Sequence, residues 1–117
     1  MKTLIIVNDP PYGSERVYNG LRLARALTKS APDAAPTVFL MADAVGAARR
    51  GQKTPDGCYN IERMLKGVLV GMGAVLLCGT CMGARGLADA DLIEGARRST
   101  MAALAEQTIT ADKVLVF

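Results

Sequence analysis

Two cysteines and an arginine lie close together in one stretch of the chain, at Cys78, Cys81 and Arg85. The same stretch contains three glycines: Gly79, Gly83 and Gly86. Glycines let backbone amides approach a reacting sulfur closely, and a helix N-terminus or an arginine favours a thiolate. A thiolate at Cys78 could attack a donor persulfide, carry the outer sulfur and pass it to an acceptor thiolate without a metal. The alternative is that Cys78 is a small buried apolar residue at a strand end.

Cys81 completes a Cys-x-x-Cys pair with Cys78, a spacing typical of redox exchange or metal binding. A closed zinc site needs about four ligands, whereas the chain has no histidine and only Cys58 as a further cysteine. We therefore expect no metal ion and no cofactor. Cys81 either resolves a persulfide or disulfide on Cys78 or is an incidental loop residue. Cys58 is interpreted as incidental, although a flexible loop could bring it near the site.

Arg85 precedes a predicted helix. The simple interpretation is a solvated cation, but a positive charge is unfavourable at a helix start. A role beside an anion is therefore favoured.

Apolar runs and helical spacings alternate along the chain. Strands are predicted over residues 3–8, 37–42, 74–78 and 112–117. Helices are predicted after a cap at Ser14 or Gly13, after a cap at Asp43, over 60–72 after a cap at Asn60, and over 87–94 and 99–107. Residues 95–98 are undecided between strand and loop. The strands read as continuous apolar runs, so the pattern predicts an α/β fold with a mainly parallel sheet between helices.

Ligand sites of open parallel sheets lie at the carboxyl ends of the strands. Three segments follow strand ends here: Asp9 to Gly13, which includes Tyr12, the region of Asp43, and Cys78 to Gly86. We expect these segments to converge. Asp9, Tyr12 and Gly13, together with the three glycines of the cysteine stretch, are the candidate substrate- or loop-binding residues.

The bulk composition limits the classes of function. The 117 residues fit a single domain spanning residues 1–117, and 50% are hydrophobic. A net charge of +3 without any basic block argues against nucleic-acid binding, and no apolar run is long enough to span a membrane. An odd number of cysteines and no signal-peptide pattern favour a reducing cytoplasm.

Several segments resemble the DsrE/DsrF-like family, and within it the YchN-like branch. They are residues 8–15 (NDPPYGSE), 19–24 (NGLRLA), 39–45 (FLMADAV), 50–53 (RGQK), 59–61 (YNI), 77–81 (LCGTC) with 85–86 (RG), and 111–115 (ADKVL). The resemblance covers essentially the whole chain. Cys58 departs from it, because it is inserted where a glycine would run directly into Tyr59.

The resemblance implies a three-layer α/β/α fold with about five strands, and a homo-oligomer that is a hexamer. The wider family includes sulfurtransferase subunits of sulfur relays, whose active cysteine corresponds to Cys78, followed by Arg85 and Gly86. The leading hypothesis is therefore a cysteine persulfide carrier or sulfurtransferase, with sulfur donor and acceptor proteins as its partners. Two alternatives stay open: a non-catalytic oligomeric binding module with a strand-end pocket, and a thiol-disulfide protein using Cys78 and Cys81. Whether the chain is an enzyme is left open by the sequence.

Overall fold

The computed structural model describes all residues from Met1 to Phe117 as a five-stranded sheet with helices on both faces. The strands are β1 Thr3–Val7, β2 Thr37–Leu40, β3 Ala74–Cys78, β4 Arg97–Ser99 and β5 Lys113–Val116. The helices are α1 Arg16–Ser30, α2 Ile61–Val70, α3 Gly79–Ala84 and α4 Met101–Thr110. Short 3₁₀ helices cover Pro32–Ala34, Ala42–Ala48 and Asp89–Asp91. The order in the sheet is β4-β3-β2-β1-β5, and every neighbouring pair is parallel, which confirms the predicted α/β class.

The two faces of the sheet carry different hydrophobic clusters, because successive strand residues point to opposite sides. One face packs against α1 and α2 through a large cluster that includes Val7, Leu21, Leu65 and Leu77. The other packs against α4 through a small cluster of Leu4, Phe39, Cys78 and Leu104. Cys78 therefore lies on the face that α4 covers.

The parallel arrangement brings the carboxyl ends of β1, β2 and β3 to one edge of the sheet. The chain turns there after Val7, after Leu40 and after Cys78. The amide of Met41 donates to the carbonyl of Val7 at 2.9 Å, so the first two turns start side by side. This edge holds all three segments that the sequence predicted to converge.

Two predicted helix caps are wrong. Helix α1 begins after Glu15 without a side-chain cap. Ser14 lies one residue before the cap position; its hydroxyl donates to Asp9 at 2.9 Å and accepts the N–H of Arg16 at 3.5 Å. The 3₁₀ helix Ala42–Ala48 begins after Met41, and the carboxylate of Asp43 points to Arg85 rather than to the helix amides. The cap at Asn60 is confirmed, since its side chain accepts the amide hydrogen of Arg63 at 3.0 Å.

The helix predicted over residues 87–94 is also wrong. The glycine-rich stretch itself forms α3, which Gly86 ends with a φ of 65°. The following residues run alongside the 3₁₀ helix Ala42–Ala48, where the amide of Ile93 donates to the carbonyl of Ala48 at 2.9 Å. Their apolar side chains are buried by contact with this neighbouring segment and not by helical periodicity. Of the undecided residues 95–98, only 97 and 98 belong to β4. Helix α2 ends at Val70, two residues before the predicted end.

No helix of the protein combines the length and the apolar character that crossing a membrane requires.

Candidate functional site

Cys78 is the last residue of β3 and the residue before α3, so its side chain sits where strand turns into helix. Its sulfur accepts the backbone N–H of Cys81 at 3.4 Å. Only 7% of the residue is exposed, and it packs with Leu4, Phe39 and Leu104. The sulfur thus lies in a largely apolar pocket with one polar side formed by the start of α3.

Two opposing influences set the pKa of Cys78. Burial raises it, because a thiolate is poorly solvated there. Hydrogen bonds from the thiol and the amide of Cys81, a further one from the amide of Thr80, and the charge of Arg85 lower it. The second group outweighs the first, so the pKa of Cys78 lies below its ordinary value. Of the two adjacent thiols, Cys78 is therefore the one set up to be a thiolate.

Cys81 is the complementary partner. Its hydrogen bond to Cys78, its burial and the negative charge that Cys78 acquires all raise the pKa of the Cys81 thiol. The backbone amide of Ala42 and the charge of Arg85 oppose this rise. Ala42 has a φ of 50°, a left-handed conformation that alanine rarely adopts. Cys81 is partly exposed, unlike Cys78.

Arg85 lies at the C-terminal end of α3, so the expectation that it stands at a helix start is wrong. A cation is favourable at this end. Its Nε donates to Asp43 Oδ1 at 2.8 Å, and one terminal nitrogen donates to the carbonyl of Cys81 at 3.1 Å. Arg85 therefore ties the turn after β2 to the cysteine helix and places a positive charge beside both thiols.

The three glycines of this stretch have different structural roles. A Cβ on Gly79 would lie 3.1 Å from Cγ of Arg98 and 3.2 Å from the carbonyl oxygen of Ser99. Gly79 therefore allows β4 to pack closely against the start of α3. A Cβ on Gly83 would meet nothing within 4 Å. Gly86 provides the positive φ that ends the helix.

The first loop reaches the same edge of the sheet, but its side chains bind elsewhere. Asp9 accepts a hydrogen bond from Ser14 and lies 3.6 Å from the Arg16 guanidinium. The hydroxyl of Tyr12 donates to Gln52 Oε1 at 2.6 Å and accepts the N–H of Ile61 at 3.0 Å. Gly13 has a φ of 103°. These contacts hold the loop itself and brace the segment before α2.

Sequence reasoning missed two features of this edge. The pairing of Asp43 with Arg85 was detectable, since the two residues have opposite charges and both follow strand ends. Gln52 was not singled out, although its side chain also donates to the carbonyls of Ala47 and Arg49 and thereby connects three segments. A glutamine in a polar stretch carries no signal for such a role. Cys58 lies exposed in the same polar segment.

No three histidine, cysteine, aspartate or glutamate side chains are grouped closely enough to hold a metal ion. The chemistry of this edge is therefore that of two adjacent thiols, a guanidinium and several backbone amides.

Comparison with known proteins gives this arrangement a context. The model of the DsrE/DsrF-like family matches residues 1–117. The chain belongs to this family. Protein YchN of Escherichia coli K12 is 45% identical over 116 residues, which span 99% of this chain and 98% of that protein. The protein MJ0989 of Methanocaldococcus jannaschii is 37% identical over the full length of both chains.

Solved structures agree with this DsrE/DsrF-like assignment. The crystal structure of YchN from Escherichia coli superimposes with a TM-score of 0.95 at 44% identity and covers 100% of this chain and 99% of its own. The resemblance to the YchN-like branch is thereby confirmed. MTH1491 of Methanobacterium thermoautotrophicum has a TM-score of 0.76 at 16% identity, covering 97% of this chain and 96% of its own, which extends the likeness of fold alone.

Proposed function

We propose that this DsrE/DsrF-like protein is a cysteine persulfide carrier or sulfurtransferase that acts through Cys78. One observation carries the proposal: the sulfur of Cys78 accepts the backbone N–H of Cys81 at 3.4 Å, at the start of α3. This arrangement stabilises a thiolate at a buried strand end. A buried cysteine that served only packing would not need donors aimed at its sulfur.

The chemistry requires only thiols. The Cys78 thiolate attacks the outer sulfur of a donor persulfide, a new S–S bond forms on Cys78, and the donor leaves as a thiolate. An acceptor thiolate then attacks the outer sulfur, and the bonding electron pair returns to Cys78. The amide of Cys81 and the charge of Arg85 stabilise Cys78 as attacking and as leaving thiolate. Asp9, Tyr12 and Gly13 form the loop that borders this edge and are proposed to shape access to it.

The proposal is tested by loading the protein with sulfur and releasing it as thiocyanate with cyanide. We expect about one equivalent per chain from the wild type and from Cys58→Ser, and none from Cys78→Ser. Thiocyanate from Cys78→Ser equal to that from the wild type would refute the role of Cys78.

We also propose that the chain assembles into a homo-oligomer through the sheet face that carries Cys78, with the hexamer implied by the family resemblance. One helix of ten residues, α4, covers this face. Val114 and Val116 belong to it through their pairing with Leu4 and Ile6, and they are 39% and 65% exposed. Exposed apolar side chains on a sheet face favour burial against another surface. A reducing cytoplasm would keep the three thiols of each chain free.

A thiol-disulfide function is the second candidate, favoured by the closeness of the two residues, since the amide nitrogen of Cys81 lies 3.4 Å from the sulfur of Cys78. Such a protein would cycle between dithiol and disulfide and would retain no sulfane sulfur. Equilibration with glutathione buffers distinguishes the two. A Cys78–Cys81 disulfide with a potential near that of the glutathione pool supports the redox function, and its absence supports the carrier.

A further inference from the structure

The two thiols differ in access, and this difference poses a problem for sulfur transfer. Cys78 is 7% exposed and packs against Phe39 and Leu104, whereas Cys81 is partly exposed one turn further along. A small persulfide can approach a nearly buried sulfur more easily than the thiol of another protein can. The nucleophile is thus the less accessible residue of the pair.

We propose that sulfane sulfur loaded on Cys78 moves to Cys81, and that Cys81 hands it to the acceptor. The inference rests on the proposed function and adds an exit position to it. Cys78 would be the protected storage position.

The surroundings of Cys81 favour a negative charge on its sulfur. The amide of Ala42 is directed at this thiol from the turn after β2, where the backbone takes its φ of 50°. Alanine rarely adopts this left-handed conformation, and here it places an amide beside a sulfur. The guanidinium of Arg85, bonded to the carbonyl of Cys81 and held by Asp43, lies beside the same group.

Loading of Cys78 changes the state of Cys81. The hydrogen bond to Cys78 and the charge on Cys78 are among the causes that raise the pKa of Cys81. When the sulfur of Cys78 becomes part of a persulfide, the negative charge moves from it to the terminal sulfur. That terminal sulfur can accept the proton of the Cys81 thiol, and Ala42 and Arg85 favour the Cys81 thiolate that results. Cys81 can therefore become the second nucleophile of the loaded state.

The transfer step balances without an oxidant or a cofactor. The Cys81 thiol gives its proton to the terminal sulfur of the Cys78 persulfide, and the resulting thiolate attacks that sulfur. An S–S bond forms on Cys81, the S–S bond on Cys78 breaks, and the electron pair stays on Cys78. Cys78 becomes the thiolate again and regains its hydrogen bond from the amide of Cys81. The acceptor thiolate then takes the sulfur from the more exposed position.

The experiment follows one turnover. The protein is loaded with glutathione persulfide, freed from excess donor, sampled over time and alkylated. Trypsin releases both cysteines on one peptide, residues 67–85, and Cys58 on another, residues 54–63, so fragment ions must assign the sulfur to Cys78 or Cys81. We expect sulfur first on Cys78 and later on Cys81.

Release is then measured from loaded wild type, Cys58→Ser and Cys81→Ser with two acceptors, cyanide and a cysteine-containing peptide. We expect Cys81→Ser to deliver sulfur to the peptide at least about tenfold more slowly than the wild type, with a smaller change for cyanide. Cys58→Ser should match the wild type with both acceptors.

Three results would overturn the inference. Equal delivery to the peptide by Cys81→Ser and wild type, or sulfur that never appears on Cys81, would show that Cys78 discharges directly. Release of hydrosulfide with formation of a Cys78–Cys81 disulfide would make Cys81 a resolving residue instead. Failure of Cys78 to load in both wild type and Cys81→Ser is a different outcome, because it refutes the proposed function itself.

Discussion

The backbone N–H of Cys81 donates to the sulfur of Cys78, with the amide nitrogen 3.4 Å from that sulfur. The two thiols are an unequal pair, because the pKa of Cys78 is lowered whereas the pKa of Cys81 is raised. The inequality arises from the backbone, since Cys78 ends β3 and Cys81 lies in the first turn of α3.

The charge of Arg85 should contribute measurably to the Cys78 thiolate. Because hydrogen bonds from Cys81 and Thr80 and the charge of Arg85 outweigh burial, the pKa of Cys78 is lowered, and its thiolate should form at a lower pH than that of an ordinary thiol. Arg85→Gln should raise this pKa and slow alkylation of Cys78 at neutral pH. The measurement is the rate of alkylation at Cys78 against pH, read by mass spectrometry. Arg63→Gln, which removes an exposed charge from α2, is the control, and an unchanged profile in Arg85→Gln would contradict the assignment.

Gly79 and Gly83 should respond oppositely to alanine. Gly79→Ala places a methyl group 3.2 Å from the carbonyl of Ser99 and should destabilise the fold by about 1–3 kcal/mol. Gly83→Ala fills open space inside a helix and should stabilise it by about 0.5–1 kcal/mol. Denaturant unfolding of both variants measures the difference. Similar destabilisation by the two alanines would mean that the close contact at Gly79 is not what requires glycine.

The hydroxyl of Tyr12 should matter for stability. Tyr12→Phe removes the bond to Gln52 and leaves the N–H of Ile61 without its partner, at a cost of about 1–3 kcal/mol. Tyr59 is the matched comparison, because its ring stacks on Tyr12 at a centroid distance of 5.8 Å while no hydrogen bond involves its hydroxyl. Tyr59→Phe should therefore change the free energy of unfolding far less. Equal losses would remove the special role of the Tyr12 hydroxyl.

The exposed apolar side of β5 should be an assembly surface. Val116→Asp should shift the protein to smaller species in light scattering, because a carboxylate cannot be buried cheaply at an interface. Val70→Asp changes a valine on α2 that is 84% exposed, more than Val116 at 65%, and should leave the assembly intact. A wild-type protein that is a monomer at micromolar concentration would eliminate the proposed oligomer altogether.

Much of the fold could be predicted because its strands are continuous apolar runs. Thr3–Val7, Ala74–Cys78 and Lys113–Val116 all fall within predicted strands. The structure of residues 87–93 could not be predicted correctly, because their apolar residues are buried by contact with the segment Ala42–Ala48, which is distant in sequence. Helix α3, Gly79–Ala84, was not predicted for a different reason, because glycine-rich sequences have low intrinsic helix propensity.

The residues of the candidate site could be predicted from the sequence, but the contacts that join them could not. The strand-end position of Cys78 followed from the apolar run before it, and the structure places Cys81 and Arg85 beside it. The amide that Ala42 directs at Cys81 depends on a single unusual backbone angle, which no side chain indicates. The pairing of Arg85 with Asp43 depends on the approach of two turns that are far apart in sequence.

The most direct test of the account is to locate the sulfur that the protein accepts. The protein is incubated with a cysteine desulfurase and cysteine, and added sulfur is mapped by fragment ions in wild type, Cys78→Ser and Cys58→Ser. The account predicts that Cys78 is the first residue to gain one sulfur, that this gain is absent in Cys78→Ser and that it persists in Cys58→Ser. If no cysteine gains sulfur from any donor, and Cys78 alkylates no faster than Cys58, the carrier function is contradicted and the binding module takes its place.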